Sequence, residues 1–200
     1  MCAPTSSHSA SALRTSASLL VAAALLLASA AQSDVFASAN DAVASAFPGA
    51  RVEKRTLLLS DTQTQAVEQR AKSKLESRIA TLYTAWQGDR VVGYAFIDVH
   101  QVRTLPEALL VAISPEGRVL QTRMLAFHEP KDYMPPARWL KQFEQRALTP
   151  DLSVGGTVHG IAGATLSTRA VTNSVRRALA LYEVFVAQPT TTNIAHAEGG

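Results

Sequence analysis

The stretch from His159 to Val171, HGIAGATLSTRAV, sets Gly160, Ala162, Gly163 and Ala164 ahead of a threonine and then runs into helical spacing. Gly163 and Ala164 leave the backbone sterically open, and Thr165 stands where the last helix is expected to begin. The first N–H groups of a helix have no internal partner and carry the positive end of its dipole. A phosphate can therefore sit there with little side-chain obstruction. A purely structural role fits the same residues: Thr165, Ser167 or Thr168 caps the helix, and the small residues make a tight turn. Other chemistries are less well provided. His100, His128 and His159 lack metal-ligand spacing and have no cysteine or paired carboxylate beside them. Ser167 has neither a G-x-S-x-G elbow nor an assignable base. Glu107 and Glu116 read as strand-start and turn residues, and VRTLPEALL carries no catalytic pattern, Pro106 merely limiting hydrogen bonds at a strand start.

The helix that must position Thr165 shows apolar residues at Val171, Val175, Ala178, Leu179, Tyr182 and Val186, the spacing of one helix face. Arg169, Arg176 and Arg177 fall mostly off that face. Ahead of it lie the loop TPDLSVGGTV, a helix that Pro135 or Pro136 can start, and the polar loop FHEPKDY. The apolar stripe of that second helix is Trp139, Leu140 and Phe143, and Trp139 reads as core. Further upstream, NDAVASAFPGA predicts a short helix with Asn40 as cap candidate, RVEKRTLLLS a strand, and DTQTQAVEQRAKSKLES an exposed helix opening on Ser60-Asp61. Four segments then have strand chemistry: RIATLYTAWQ, RVVGYAFIDV, EALLVAIS and RVLQTRMLAF, with GD and SPEG as turns. Consecutive strands with helices at the ends predict an α+β fold, a twisted antiparallel sheet with flanking helices, in place of the strand-helix alternation of a parallel sheet.

Of the 200 residues, 1–31 read as a signal peptide: Arg14, then ASLLVAAALLLASA, then small residues, with no acid before Asp34. The apolar run of roughly 15 residues is short of the ~20 that a spanning helix needs, which favours cleavage after Ala30 or Ala31 over retention as an anchor. The expected location is periplasmic or otherwise extracytoplasmic. Cys2, the only cysteine, lies ahead of the apolar run, so the mature chain has no thiol. Of 19 lysines and arginines only Arg14 is removed, leaving 18 against 16 acids and no basic stripe, which argues against nucleic acid. A single domain is expected over 40–187, and the tail 188–200, lacking period and bulk, is expected to be disordered.

Placed at the start of a C-terminal amphipathic helix, GIAGATLSTRAV resembles the FMN-binding domain that occurs in the sodium-pumping NADH:quinone reductase and in the Rnf electron-transport complex. That family's pattern is approximately Asp, two variable residues, Ser or Thr, then Gly-Ala-Thr or Gly-Ala-Ser. The resemblance extends through ISPEGRVLQTRMLAFHEP, similar to the family's strand, glycine turn, strand and His-x-Glu-Thr-Pro loop, and covers roughly residues 88–185. It implies FMN joined by a phosphoester to Thr165, installed by a flavin transferase that uses FAD and magnesium. It also implies cofactor contacts from Gly163, Ala164, Leu166 and Ser167; Arg169, one turn on, is the arginine best placed to support the phosphate, and His159 either contacts the phosphate or the ring or simply fills the turn. His128, Glu129 and Tyr133 lie on the loop that in relatives closes near the flavin ring; the structural alternative is that His128 and Glu129 only punctuate a strand end and Tyr133 packs beneath the loop. His159 stands where the family has Asp, Ala162 where it has Ser or Thr, and FHEPKDY lacks the family's threonine and following glycine. The function implied is an exported electron carrier working with a membrane electron-transfer oxidoreductase. The alternative is a flavin-free structural or partner-binding module of the same fold, with His159 and Ala162 marking loss of the transferase signal.

Overall fold

In ALLVAI, residues 108–113, apolar side chains occupy both parities, so a strand made of them has two faces to bury. The computed structural model, which describes residues 34–35 and 38–187, provides cover on both. The expected leader, 1–31, and tail, 188–200, lie outside the described residues. Leu109, Val111 and Ile113 of β5 (Pro106–Ile113) enter one core cluster, and Leu110 and Ala112 enter another. The sheet that carries β5 is antiparallel throughout and open, with five long strands: β2 (Arg51–Leu58), β3 (Ile79–Gln87), β4 (Arg90–Gln101), β5 and β6 (Val119–Phe127). A two-residue strand, β1 (Asp34–Val35), adds to the free edge of β6, giving the order β1-β6-β5-β4-β3-β2. The α+β class and the consecutive strand pairing agree with the sequence reading.

The helix α1 (Ala39–Ala46) covers the second cluster with Ala42, Val43 and the following Phe47. A β-carbon at Gly93 would collide with the Phe47 ring, so this strand position must lack a side chain for α1 to seat. The cap of α1 is Ser38, whose hydroxyl accepts the Asp41 N–H at 3.2 Å; Asn40, the expected cap, lies inside the helix. On the opposite face, α2 (Asp61–Ala71) and α4 (Thr165–Tyr182) pack over the larger cluster, with α3 (Ala137–Leu140) and two 3₁₀ turns, Lys131–Tyr133 and Lys141–Phe143, between β6 and α4. The helix expected from Pro135 or Pro136 is thus one α-turn running into 3₁₀, although Trp139, Leu140 and Phe143 are buried as the stripe predicts.

α2 ends six residues before the charged pattern does. Lys72 takes a left-handed conformation (φ 51°), and the Glu68 carboxylate then accepts the Leu75 N–H at 3.1 Å and Lys74 Nζ at 2.6 Å, turning the chain back. The helix is also less exposed than its charges suggest, because Val67 and Ala71 are fully buried. α4 buries Val171, Val175, Ala178 and Leu179 as its spacing requires, each large apolar side chain contributing about 1.5–3 kcal/mol. It continues into a π-helical turn, Glu183–Ala187. No helix among the described residues is long and apolar enough to cross a membrane.

Arg176 and Arg177 overturn the expectation that they sit off the packed face, for both are 4% exposed. Arg176 donates to the carbonyls of Arg70 (3.2 Å) and Ala71 (2.6 Å) at the end of α2, and to those of Thr149 (2.8 Å) and Leu152 (2.9 Å) in the loop before α4. A cation at a helix C-terminus meets the negative end of the dipole. Arg177 donates to both Asp98 carboxylate oxygens (2.9 and 2.5 Å) and to Ser73 Oγ (2.9 Å), tying α4 to β4. Apolar periodicity misses such residues because each guanidinium is buried against partners that lie far away in sequence.

Candidate functional site

The register of β4 against β5 sets His100 opposite Glu107, and period two places Asp98 on the same face as His100. His100 Nδ1 lies 2.7 Å from Asp98 and Nε2 lies 2.6 Å from Glu107, in contacts that are close but poorly aligned as hydrogen bonds. Burial alone would lower the pKa of His100; the contacts to Asp98 and Glu107 and their charges outweigh it and raise the pKa to about 9. Burial would raise Asp98, but His100 and Arg177 hold its carboxyl well below the usual carboxylate range. Two cations and two anions therefore form a buried, balanced group beneath the β4–β5 hairpin.

The hairpin loop, residues 102–105, sits at the end of this group. Glu129 Oε1 accepts the N–H groups of Arg103 (3.3 Å), Thr104 (3.1 Å) and Leu105 (3.1 Å), and His128 Nδ1 donates to the Pro106 carbonyl at 2.9 Å. The Thr104 N–H above all, then those of Leu105 and Arg103 and the Arg103 charge, hold the Glu129 carboxyl below its ordinary value against the opposing effect of burial. His128 and Glu129 thus fix a neighbouring loop, and Tyr133, 41% exposed, follows on the 3₁₀ turn.

On the other side, two side chains clamp the backbone of His159. Trp139 Nε1 donates to its carbonyl at 2.6 Å, and its N–H donates to Gln142 Oε1 at 2.8 Å. Trp139 is core, as expected, and packs edge-on against Phe143 at 5.4 Å, yet its indole N–H also sets the path into α4. The turn Ile161–Ala164 follows, closed by the Ala164 N–H to the Ile161 carbonyl at 3.1 Å. Gly163 in this turn has φ +83°, a conformation that disfavours a side chain. An added β-carbon at Gly163 would enter open space.

α4 then begins at Thr165 with Ala164 as its N-cap, and no side chain caps it. The expected capping role of Thr165, Ser167 or Thr168 is not taken: the Thr168 hydroxyl donates backward to the Thr165 carbonyl at 3.0 Å, and Ser167 is buried. Thr165 is exposed, as is Leu166.

These pieces enclose one cleft of about 210 Å³. Its walls are Gly163 through Ser167 from the start of α4, Glu129 and Tyr133 from the loop after β6, and Val102 and Arg103 from the hairpin loop. Of the ten residues singled out in the sequence, Gly163, Ala164, Thr165, Leu166, Ser167, Glu129 and Tyr133 line it. His128, His159 and the exposed Arg169 are not wall residues: the His128 ring bonds the Pro106 carbonyl, and the His159 backbone is held by Trp139 and Gln142. Sequence reasoning missed Val102, Arg103 and the Asp98–His100–Glu107–Arg177 group. A four-residue loop between paired Gln101 and Pro106 is the signal that would have set His100 against Glu107.

The cleft joins an apolar wall, an exposed hydroxyl, an uncapped helix start and a turn free of side chains. Those features fit a phosphate-bearing aromatic cofactor. Residues 106–180, from the first residue of β5 well into α4, match the family model of the FMN-binding domain. This segment is an FMN-binding domain. FMN is accordingly its cofactor, and the matched segment contains the α4 start, Glu129 and Tyr133, while the hairpin loop of Val102 and Arg103 lies just outside it. Comparison of the chain with the curated proteins finds no match.

Proposed function

We propose that the chain is an exported redox carrier that holds FMN through a phosphoester on the Thr165 hydroxyl and passes electrons between a membrane oxidoreductase and an extracytoplasmic acceptor. The observation that carries this reading is the exposed Thr165 at the first residue of α4, on a cleft wall where no side chain caps the helix. When bound, the isoalloxazine ring supplies the redox chemistry. The chain's own residues bind and orient it. The first N–H groups of α4 and the positive end of its dipole meet the phosphate charge. Gly163 keeps the approach clear, Tyr133 and Leu166 offer apolar surface, and Glu129 holds the hairpin loop in place.

Attachment needs a flavin transferase as partner, with FAD as donor and magnesium. The Thr165 oxygen bonds to the FMN-side phosphorus, the phosphoanhydride bond breaks, AMP leaves, and the hydroxyl proton passes to solvent. A tethered cofactor cannot diffuse away outside the cytoplasm, which suits the signal-peptide reading of residues 1–31 and a periplasmic or other extracytoplasmic location. The test is the intact mass of the exported protein, with and without coexpressed transferase, beside Thr165→Val. A gain of one FMN less water, absent from Thr165→Val, is the expected result. A wild-type protein that gains no mass sinks the covalent reading and makes His159 and Ala162 the departures that removed the transferase signal.

A further inference from the structure

The loop between β4 and β5 precedes the matched segment 106–180, yet it forms a wall of the same cleft. The Val102 N–H donates to the Leu105 carbonyl at 3.2 Å, closing the loop on itself. From one side Glu129 gathers the N–H groups of residues 103–105 onto a single carboxylate oxygen. At its base stand His100 and Glu107, each nearly fully buried and paired across the hairpin. The backbone of Arg103 is therefore fixed where the residue lines the cleft.

Among the described residues that line the cleft, Arg103 is the sole cation and Glu129 the sole anion. Glu129 has committed an oxygen to three backbone donors and also feels the Arg103 charge, so Arg103 is the one wall residue whose charge can meet a second anion. Arg169, the cation nearest to Thr165 in sequence, is not part of the wall.

We propose that Arg103 is the cofactor-contacting cation of this cleft and favours the negatively charged, reduced form of the isoalloxazine ring. The proposal rests on FMN occupying the cleft. The phosphate end of the cofactor belongs at the start of α4, where the backbone donors and the dipole already serve a negative charge. Arg103 comes from a different element and is available to charge that the helix start does not meet. Uptake of two electrons and one proton adds one negative charge to the ring, and charge placed near its nitrogens is one of the ways a protein tunes a flavin. A guanidinium there stabilises the reduced form, so its removal moves the midpoint potential in the negative direction.

The experiment is spectroelectrochemical titration of flavin-loaded wild type, Arg103→Gln and Arg103→Lys. It is paired with titration of FMN and riboflavin into flavin-free protein carrying Thr165→Val, with and without Arg103→Gln. Arg103 is exposed, so the substitutions leave the urea midpoint unchanged. The expected result is a loss in Arg103→Gln of ~tenfold in preference for the reduced ring, about 30 mV for a two-electron couple, with Arg103→Lys retaining most of the wild-type potential. Weaker binding of FMN and riboflavin alike accords with contact to the ring. Weaker binding of FMN alone, with the potential unmoved, assigns the arginine to the phosphate and overturns the proposal. An unmoved potential with both affinities unmoved overturns it as well, while the retained mass of attached FMN leaves the reading of function standing. Wild-type protein that takes up flavin neither covalently nor by binding overturns both together.

Discussion

Ser60 and Ala164 hold the same position, one residue ahead of a helix that packs on the larger core, and they treat the first backbone N–H groups in opposite ways. At α2 the Ser60 hydroxyl accepts the Gln63 N–H at 3.2 Å while the Gln63 side chain accepts the Ser60 N–H at 2.9 Å, a reciprocal capping box. At α4 no side chain does either. The start of α2 is settled by four adjacent residues. That of α4 is settled from a distance: by the buried stripe of Val171, Val175 and Leu179, by the bonds of Arg176 and Arg177, and by the clamp of Trp139 and Gln142 on His159. A helix held by its body can leave its first turn open to a ligand; a helix held by its cap has already used it.

If that contrast is right, α4 should be most sensitive in its body. Arg177→Ala strips the buried Asp98 carboxylate of two donors and should cost about 3–5 kcal/mol, read from the urea midpoint. A loss below ~1 kcal/mol would mean that the buried charges do not anchor the helix. The pH profile sharpens the same point with an effect of a few kcal/mol. His100 is raised from an ordinary 6.5 to about 9, so its contribution is complete below pH 6.5 and disappears as the pH rises through 9. Asp98 is held below its ordinary 3.8, so its contribution is present above that pH and is lost on acidification. Stability should therefore fall across pH 6.5–9 in the wild type, and that fall should flatten in His100→Gln. Ser60→Ala removes the cap of α2 and should cost about 1 kcal/mol. Thr165→Val, at the matching place on α4, should change flavin-free stability by less than about 0.5 kcal/mol. Equal losses at the two starts would break the comparison.

Much of this organisation is legible in the sequence. The strand runs of 79–127 alternate or carry two apolar faces, their turns are marked by Gly88 and Gly117, and the Gly-Ala-Thr run points to an uncluttered helix start. Local chemistry decides such features, so local sequence shows them. The rest depended on pairing across distance. Arg176 and Arg177 look like solvent-facing cations until the end of α2 and Asp98 are brought against them, 79 to 106 residues away. Arg103 sits in a stretch that has no catalytic pattern, and only the fold of the β4–β5 hairpin sets it beside the start of α4. The charged pattern overstates the length of α2 because it runs on past Lys72, whereas the carboxylate of Glu68 turns the chain back there.

The indole of Trp139 gives the molecule a built-in optical reporter. Its N–H is bonded to the carbonyl of His159, six residues before Thr165, so its emission responds to the path of the backbone into the cleft. The chain's other tryptophan, Trp86, lies on β3, where it donates to Glu53 and stacks with Arg51. Replacing Trp86 with phenylalanine isolates the Trp139 signal, and since flavins absorb where indoles emit, quenching of that single fluorophore would follow cofactor loading in real time without a label.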